Sequence, residues 1–288
     1  MPPSIASAWV EALPWAEACL VGVAFICGAA LGSFLNVVAH RVPRGESPVV
    51  GGSRCPSCSS GILPRDNVPV LGWLLLRGRC RSCQAAISRR YVLVELACGG
   101  LVAMLAGARL ACDPQGLDRL LVHGDARPLF VFAGQTALLM TLMGWSLLAE
   151  RGHRVTRATR WLTMAVAVGW SVAAAERADV LAATGGPWLW LGPRMAPWLT
   201  PVVASLAGGG LGMLAGWVGK SAADRDMLTV VGLALGWQAV VVVAVLTATL
   251  RLVARGTPLA RHGLVPATLV AVCICGGRLA AGFLGWLR

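Results

Sequence analysis

Apolar positions in this chain gather into long runs near residues 18–39, 91–111, 128–149, 160–175, 198–218, 227–250 and 263–287. Most of these reach the roughly 20 residues that an α-helix needs to cross a ~30 Å hydrocarbon layer. Unbroken runs predict helices and not the alternating strands of a β-barrel, because a helix satisfies its own backbone inside lipid. The fold class read from the pattern is an all-α polytopic membrane protein with seven to eight transmembrane helices. Composition agrees: of 288 residues, 57% are hydrophobic and 13% charged, and the mean hydropathy is +0.70, which excludes an ordinary water-soluble domain.

The polar segments then orient the spans. Nine arginines lie between the first two runs, against Glu46 and Asp66, whereas the next connection holds Asp113, Asp118 and Asp125 with Arg119, and Arg127 at the edge of the following run. The bias of positive loops toward the cytosol puts the arginine-rich loop inside. Alternation places Glu150 with Arg151, Arg154 and Arg157 on the same side, and the stretch 185–198, with Trp188, Trp190 and Trp198, outside. Lys220 to Asp226 returns to the cytosol, but Arg251, Arg255 and Arg261 then fall outside. A break near Gly232 or Gly236 inside the run 227–250 repairs this and makes an eighth membrane element. The net charge of +12 therefore marks topology and not a nucleic-acid face. At the N-terminus, Glu11 and Glu17 precede the apolar stretch and no positive cluster does, so it is expected to persist as the first membrane helix.

Of ten cysteines, six lie in or beside apolar runs, where a thiol acts as a small hydrophobe. The other four form Cys55-Pro-Ser-Cys58 and Cys80-Arg-Ser-Cys83, a C-x2-C-x21-C-x2-C pattern that offers four thiolates to a tetrahedral zinc ion. Two disulfides or four free thiols are the alternatives; a reducing cytosol opposes the first and the paired spacing the second. Four cysteines close the coordination shell, so a zinc here is structural and has no place for substrate. The segment Val68 to Leu76 supplies most of the loop's apolar mass and is suited to lying against the membrane surface. Glu95, just inside the next helix, reads as a snorkelling carboxylate paired with Arg89 or Arg90. No internal repeat is visible.

Around this loop, Gly32-Ser33-Phe34-Leu35-Asn36-Val37-Val38, then Arg41 and Pro43, resembles the GSFLNVV-x-x-R-x-P signature of the type IV prepilin leader peptidase and N-methyltransferase family. Asp66 through Cys80 resembles that family's DNIPVLSWLLLRGRC run, and Ile87 to Tyr91 with Glu95-Leu96 resembles ISxRYPLVEL. These matches span about residues 25–97. Further on, Asp224-Arg225-Asp226-Met227-Leu228 with Gly236-Trp237-Gln238-Ala239 resembles GxGDVKLLAALGAWLGWQA, with Ser221-Ala222-Ala223 in place of the glycines. The family's other acidic motif is most similar at Glu150-Arg151-Gly152-His153, where glutamate replaces aspartate and the downstream Pro-Asp is absent.

The resemblance implies a membrane aspartic endopeptidase of the bacterial inner membrane. Its substrates would be prepilins or type II secretion pseudopilins, with Asp224 and Glu150 as the catalytic acids. It also implies N-methylation of the new terminus with S-adenosylmethionine as cofactor, an activity associated with the cysteine-loop half. The division is then 1–97 for the N-terminal helix and zinc loop, and 98–288 for the peptidase-like part. Glu150 reads equally as a solvated charge beside Arg151 and Arg154, and Asp224 and Asp226 as a loop pair near Arg225. The rival function is a non-proteolytic relative acting as a methyltransferase or assembly factor. A transporter is the third class, for which Arg278 within a span is thin support.

Overall fold

A computed structural model describes residues 5–112, 119–120 and 122–151, with short helical pieces at 161, 163–165, 209–211, 213–214 and 228–230. The chain forms two compact units, Met1–Leu117 and Asp118–Arg288. The described residues are mainly helical and contain no strands; two isolated bridges, Arg54 to Gly61 and Arg79 to Ala86, lie in the cysteine loop.

In the first unit, helix α1 (Ile5–Arg41) leads into the loop, which contains the one-turn-and-a-half helix α2 (Leu71–Leu75), and α3 (Arg89–Cys112) leaves it. The second unit contributes α4 (Arg127–Glu150). Three stretches are long and apolar enough to cross a membrane: Trp15–Arg44, Arg89–Ala111 and Pro128–Leu148. They correspond to the runs expected at 18–39, 91–111 and 128–149. Helix α1 starts well before its apolar run because Ala, Glu and Leu favour helix irrespective of hydropathy. The runs at 160–175, 198–218, 227–250 and 263–287, and the break near Gly232, lie wholly or mostly outside the described residues.

Helices α1 and α3 pack closely through small side chains. A Cβ at Gly28 would meet the Cys98 carbonyl oxygen at 2.7 Å, and one at Gly32 would meet the Cys98 Cβ at 2.8 Å. Glycine at these points lets two backbones approach without a side chain between them, the usual contact where lipid supplies no hydrophobic drive. Asn36, buried near the end of α1, donates from Nδ2 to the Tyr91 carbonyl at 3.1 Å. Outward positions such as Val23, Ile26, Phe34 and Leu93 are exposed and apolar, as a lipid-facing surface requires. The loop is thus held between two joined helix ends.

Candidate functional site

Each CxxC lies in a small hairpin, and the two hairpins repeat each other at an offset of twenty-five residues. Cys55 N–H donates to Ser60 O at 2.9 Å and Cys80 N–H to Ala85 O at 2.9 Å. Ser59 N–H returns to Cys55 O at 2.9 Å and Gln84 N–H to Cys80 O at 3.0 Å. Ile62 N–H to Ser53 O, 2.8 Å, and Ile87 N–H to Gly78 O, 2.7 Å, close the two. Ser59 and Gln84 both have φ of 58°, a left-handed conformation unfavourable for side chains other than glycine. This repeat corrects the sequence reading: the two hairpins share an R-C-x-S-C-x3-I pattern, Arg54/Arg79, Ser57/Ser82 and Ile62/Ile87 matching beside the cysteines, a signal too short to stand out until the backbone shows it.

The hairpins bring the four sulfurs of Cys55, Cys58, Cys80 and Cys83 within 4.8 Å of one another. Cys55 Sγ lies 3.8 Å from Cys83 Sγ, and a tetrahedron with Zn–S bonds of ~2.3 Å has sulfur–sulfur edges of about 3.8 Å. Cys55 and Cys80 are buried, Cys58 and Cys83 exposed. Hydrogen bonds from Ser60, its hydroxyl 2.9 Å away, bring Cys58 down to about 6. The backbone N–H groups of Cys83 and Ser82 lower Cys80. At Cys83 the Ala85 N–H favours thiolate, but hydrogen bonding to Cys58 and desolvation prevail and push it up to about 12. Four sulfurs at these spacings, with Cys58 and Cys80 both shifted toward thiolate, form a donor set that fits a divalent metal.

Different side chains fasten the two hairpins. Arg41, at the end of α1, donates from one guanidinium nitrogen to Ser47, Val50 and Gly51 carbonyls at 3.2, 3.0 and 3.2 Å, and from another to Gly52 O at 2.9 Å. Arg81 forms a bidentate pair with Asp66 at 2.7 and 2.6 Å, which lowers the Asp66 carboxyl and raises Arg81. Trp73 Nε1 donates to Ile87 O at 3.2 Å, and its ring lies over Gly78, whose φ is +68°.

Val70 carries the loop's most strained turn. Its φ of 63° and ψ of −55°, with Leu71 N–H donating to Pro69 O at 2.6 Å, form a γ-turn of the rare positive-φ kind on a β-branched residue. The Val70 N–H donates to Glu95 Oε2 at 2.7 Å. Glu95 thus bonds to backbone across the loop, a partner that the sequence reading of an arginine pair had missed; no local pattern announces a contact to an amide twenty-five residues away. Beside it, a cleft of about 640 Å³ opens between the end of α1, the start of α3 and the loop, with Asn36, His40, Trp73, Tyr91 and Glu95 on its walls.

Of the expected catalytic acids, Glu150 is the last residue of α4, with its side chain outside the described residues. Asp224, Asp226 and His153 lie outside them altogether.

Residues 26–108 match the family described as Bacterial Peptidase A24 N-terminal domain. Over 264 residues the chain is 31% identical to the prepilin leader peptidase/N-methyltransferase of Burkholderia pseudomallei (strain 1026b), covering 80% of this chain and 75% of that protein. The chain belongs to the prepilin leader peptidase/N-methyltransferase family. Shorter matches are tighter. A prepilin leader peptidase/N-methyltransferase of Myxococcus xanthus (strain DK1622) is 52% identical over 75 residues, 26% of this chain and 22% of that protein. One from Klebsiella pneumoniae is 42% identical over 121 residues, 40% of this chain and 53% of that protein. These two alignments thus span a fifth to a half of the relatives' lengths. No solved structure matches the chain. Within the family, the N-terminal domain match encloses all four cysteines, Arg41, Val70 and Glu95.

Proposed function

We propose that this chain is an inner-membrane enzyme that removes the leader from prepilin-like or pseudopilin substrates and methylates the new N-terminus. The observation that carries this reading is the 264-residue alignment, which extends through both halves of the chain. The spans number seven to eight in this reading, the cysteine loop faces the cytosol, and residues 1–97 and 98–288 form the methyltransferase-associated and peptidase-like parts. Val70 is tied to a carboxylate inside α3, and its neighbours Leu71, Leu74 and Leu75 are exposed. That arrangement favours α2 resting on the lipid headgroups.

Cleavage is assigned to Glu150 and Asp224. Two carboxylates sharing one proton can divide the work: the ionised one takes a proton from water as its oxygen attacks the scissile carbonyl, and the protonated one donates to the carbonyl oxygen. Zinc, held by Cys55, Cys58, Cys80 and Cys83, would tie the segment leaving α1 to the segment entering α3 and take no part in the reaction. S-adenosylmethionine would supply the methyl group; the cleft falls within the roughly 300–1,000 Å³ of small-molecule sites, and its walls offer the buried carboxylate of Glu95.

A second reading, a non-proteolytic methyltransferase or assembly factor, is favoured by glutamate at 150 and by Ser221-Ala222-Ala223 before Asp224. Glutamate reaches one methylene further than aspartate, and a misplacement of about 1 Å can cost on the order of 100-fold in rate. Cleavage of a prepilin substrate in membranes separates the two. Loss of leader removal in both Glu150→Gln and Asp224→Asn, from an active parent, supports the acid pair. An inactive parent that gains cleavage with Glu150→Asp and glycine at 221 and 223 supports the second reading, and no cleavage from any of them removes the peptidase assignment.

A further inference from the structure

Glu95 lies in the second turn of α3 and is only 8% exposed. Its Oε2 accepts the Val70 N–H; among the described residues, Oε1 has no hydrogen-bond partner. A carboxylate held by one amide through one oxygen keeps acceptor capacity for a second donor on the other. Of the guanidinium groups on the cleft wall, Arg41 is committed to four loop carbonyls and Arg81 to Asp66, while Arg54 shares the wall and forms no ion pair with Glu95. Glu95 lines a cleft of about 640 Å³ whose walls also include Trp73 and Tyr91, aromatic residue types whose ring faces attract cations.

We propose that this cleft binds an organic cation, a sulfonium or ammonium group, with Glu95 as its counter-charge. The proposal rests on the methyltransferase reading, in which two ligands carry such a group: the methyl donor at its sulfur and the processed pilin at its new α-amine. The γ-turn at Val70 serves the site by holding Oε2 and leaving Oε1 to the ligand. Glu95 is then a specificity residue for the charged centre, outside the acid pair assigned to cleavage.

Binding to the full chain in detergent tests this. S-adenosylmethionine, S-adenosylhomocysteine, which has no sulfonium charge, and a synthetic processed-pilin peptide with a free or acetylated N-terminus are titrated against wild type, Glu95→Gln and Glu95→Asp. The glutamine variant keeps an oxygen for the Val70 N–H and removes only the charge, and Glu95→Asp restores it. If Glu95 faces the donor, Glu95→Gln weakens S-adenosylmethionine about tenfold or more and leaves S-adenosylhomocysteine unchanged. If it faces the acceptor, the free-amine peptide weakens by a similar factor and the acetylated peptide does not. Either result, with partial recovery in Glu95→Asp, supports the site. Wild-type binding that Glu95→Gln leaves intact for every ligand overturns it while the methyltransferase reading stands. A wild-type chain that binds neither donor nor peptide overturns both.

Discussion

The two cysteine hairpins share one backbone and differ in everything that anchors it. The first, Ser53 to Ile62, hangs from α1 by Arg41, whose guanidinium grips carbonyls from Ser47 to Gly52 while Val49 and Val50 stay exposed. The second, Gly78 to Ile87, is braced from within the loop by the Trp73 ring, by the Trp73 bond to Ile87 and by the Arg81–Asp66 pair. A tetrahedral donor set needs only the local hairpin, so its geometry repeats with the short shared R-C-x-S-C-x3-I pattern. The position of each hairpin against the membrane helices needs particular contacts, and these have no reason to repeat. One half depends on a cation gripping backbone, the other on packing.

The harshest way to break this pairing is to remove a ligand from either half. Cys55→Ser and Cys80→Ser are each expected to reduce zinc in the purified chain from about one ion to nearly none, measured by elemental analysis. Protease sensitivity should rise in both hairpins together, because the metal joins them; full zinc content in either variant would show that the four thiols are not its ligands.

A milder pair separates the anchors. Gly78→Ala puts a Cβ 2.8 Å from the Trp73 ring at a positive φ and is expected to cost about 2 kcal/mol or more. Arg41→Ala removes hydrogen bonds from a solvent-accessible cation and is expected to cost about 1 kcal/mol. Hydrogen exchange in the chelator-treated chain should speed up at the Cys80 amide for the first and at the Cys55 amide for the second. Equal acceleration at both amides in both variants would mean that the anchors are not separate.

The gentlest change tests what the hairpins share. Ser59→Gly and Gln84→Gly relieve the two φ values of 58° and should each stabilise the loop by roughly 0.5–1 kcal/mol. Chelator resistance, followed as the rate of zinc loss, should increase by similar amounts in both, whereas opposite signs would break the equivalence.

Much of this was legible from side-chain type alone. Three apolar runs became helices because long unbroken hydrophobicity leaves the backbone few other arrangements in lipid. The four cysteines met because paired CxxC spacing places two sulfurs on each tight turn. Glu95 was legible only as an unusual acid in an apolar helix, since its Val70 partner is a main-chain amide that any residue type would supply. Arg41 stood out within a motif but not as a clamp, for its targets are carbonyls that leave no mark on composition. The left-handed turns at Ser59 and Gln84 were hidden because serine and glutamine do not announce a positive φ as glycine does.

By itself, then, the sequence determined the long apolar helices of the chain, the four thiols that could hold a metal and its family, all of which follow from side-chain chemistry at short range. Only the tertiary structure decided that Arg41 and Trp73 anchor the two hairpins differently, and that Glu95 fastens a strained turn beside a cleft. Those features depend on backbone groups, identical along the chain, being brought together across distances that local sequence does not encode.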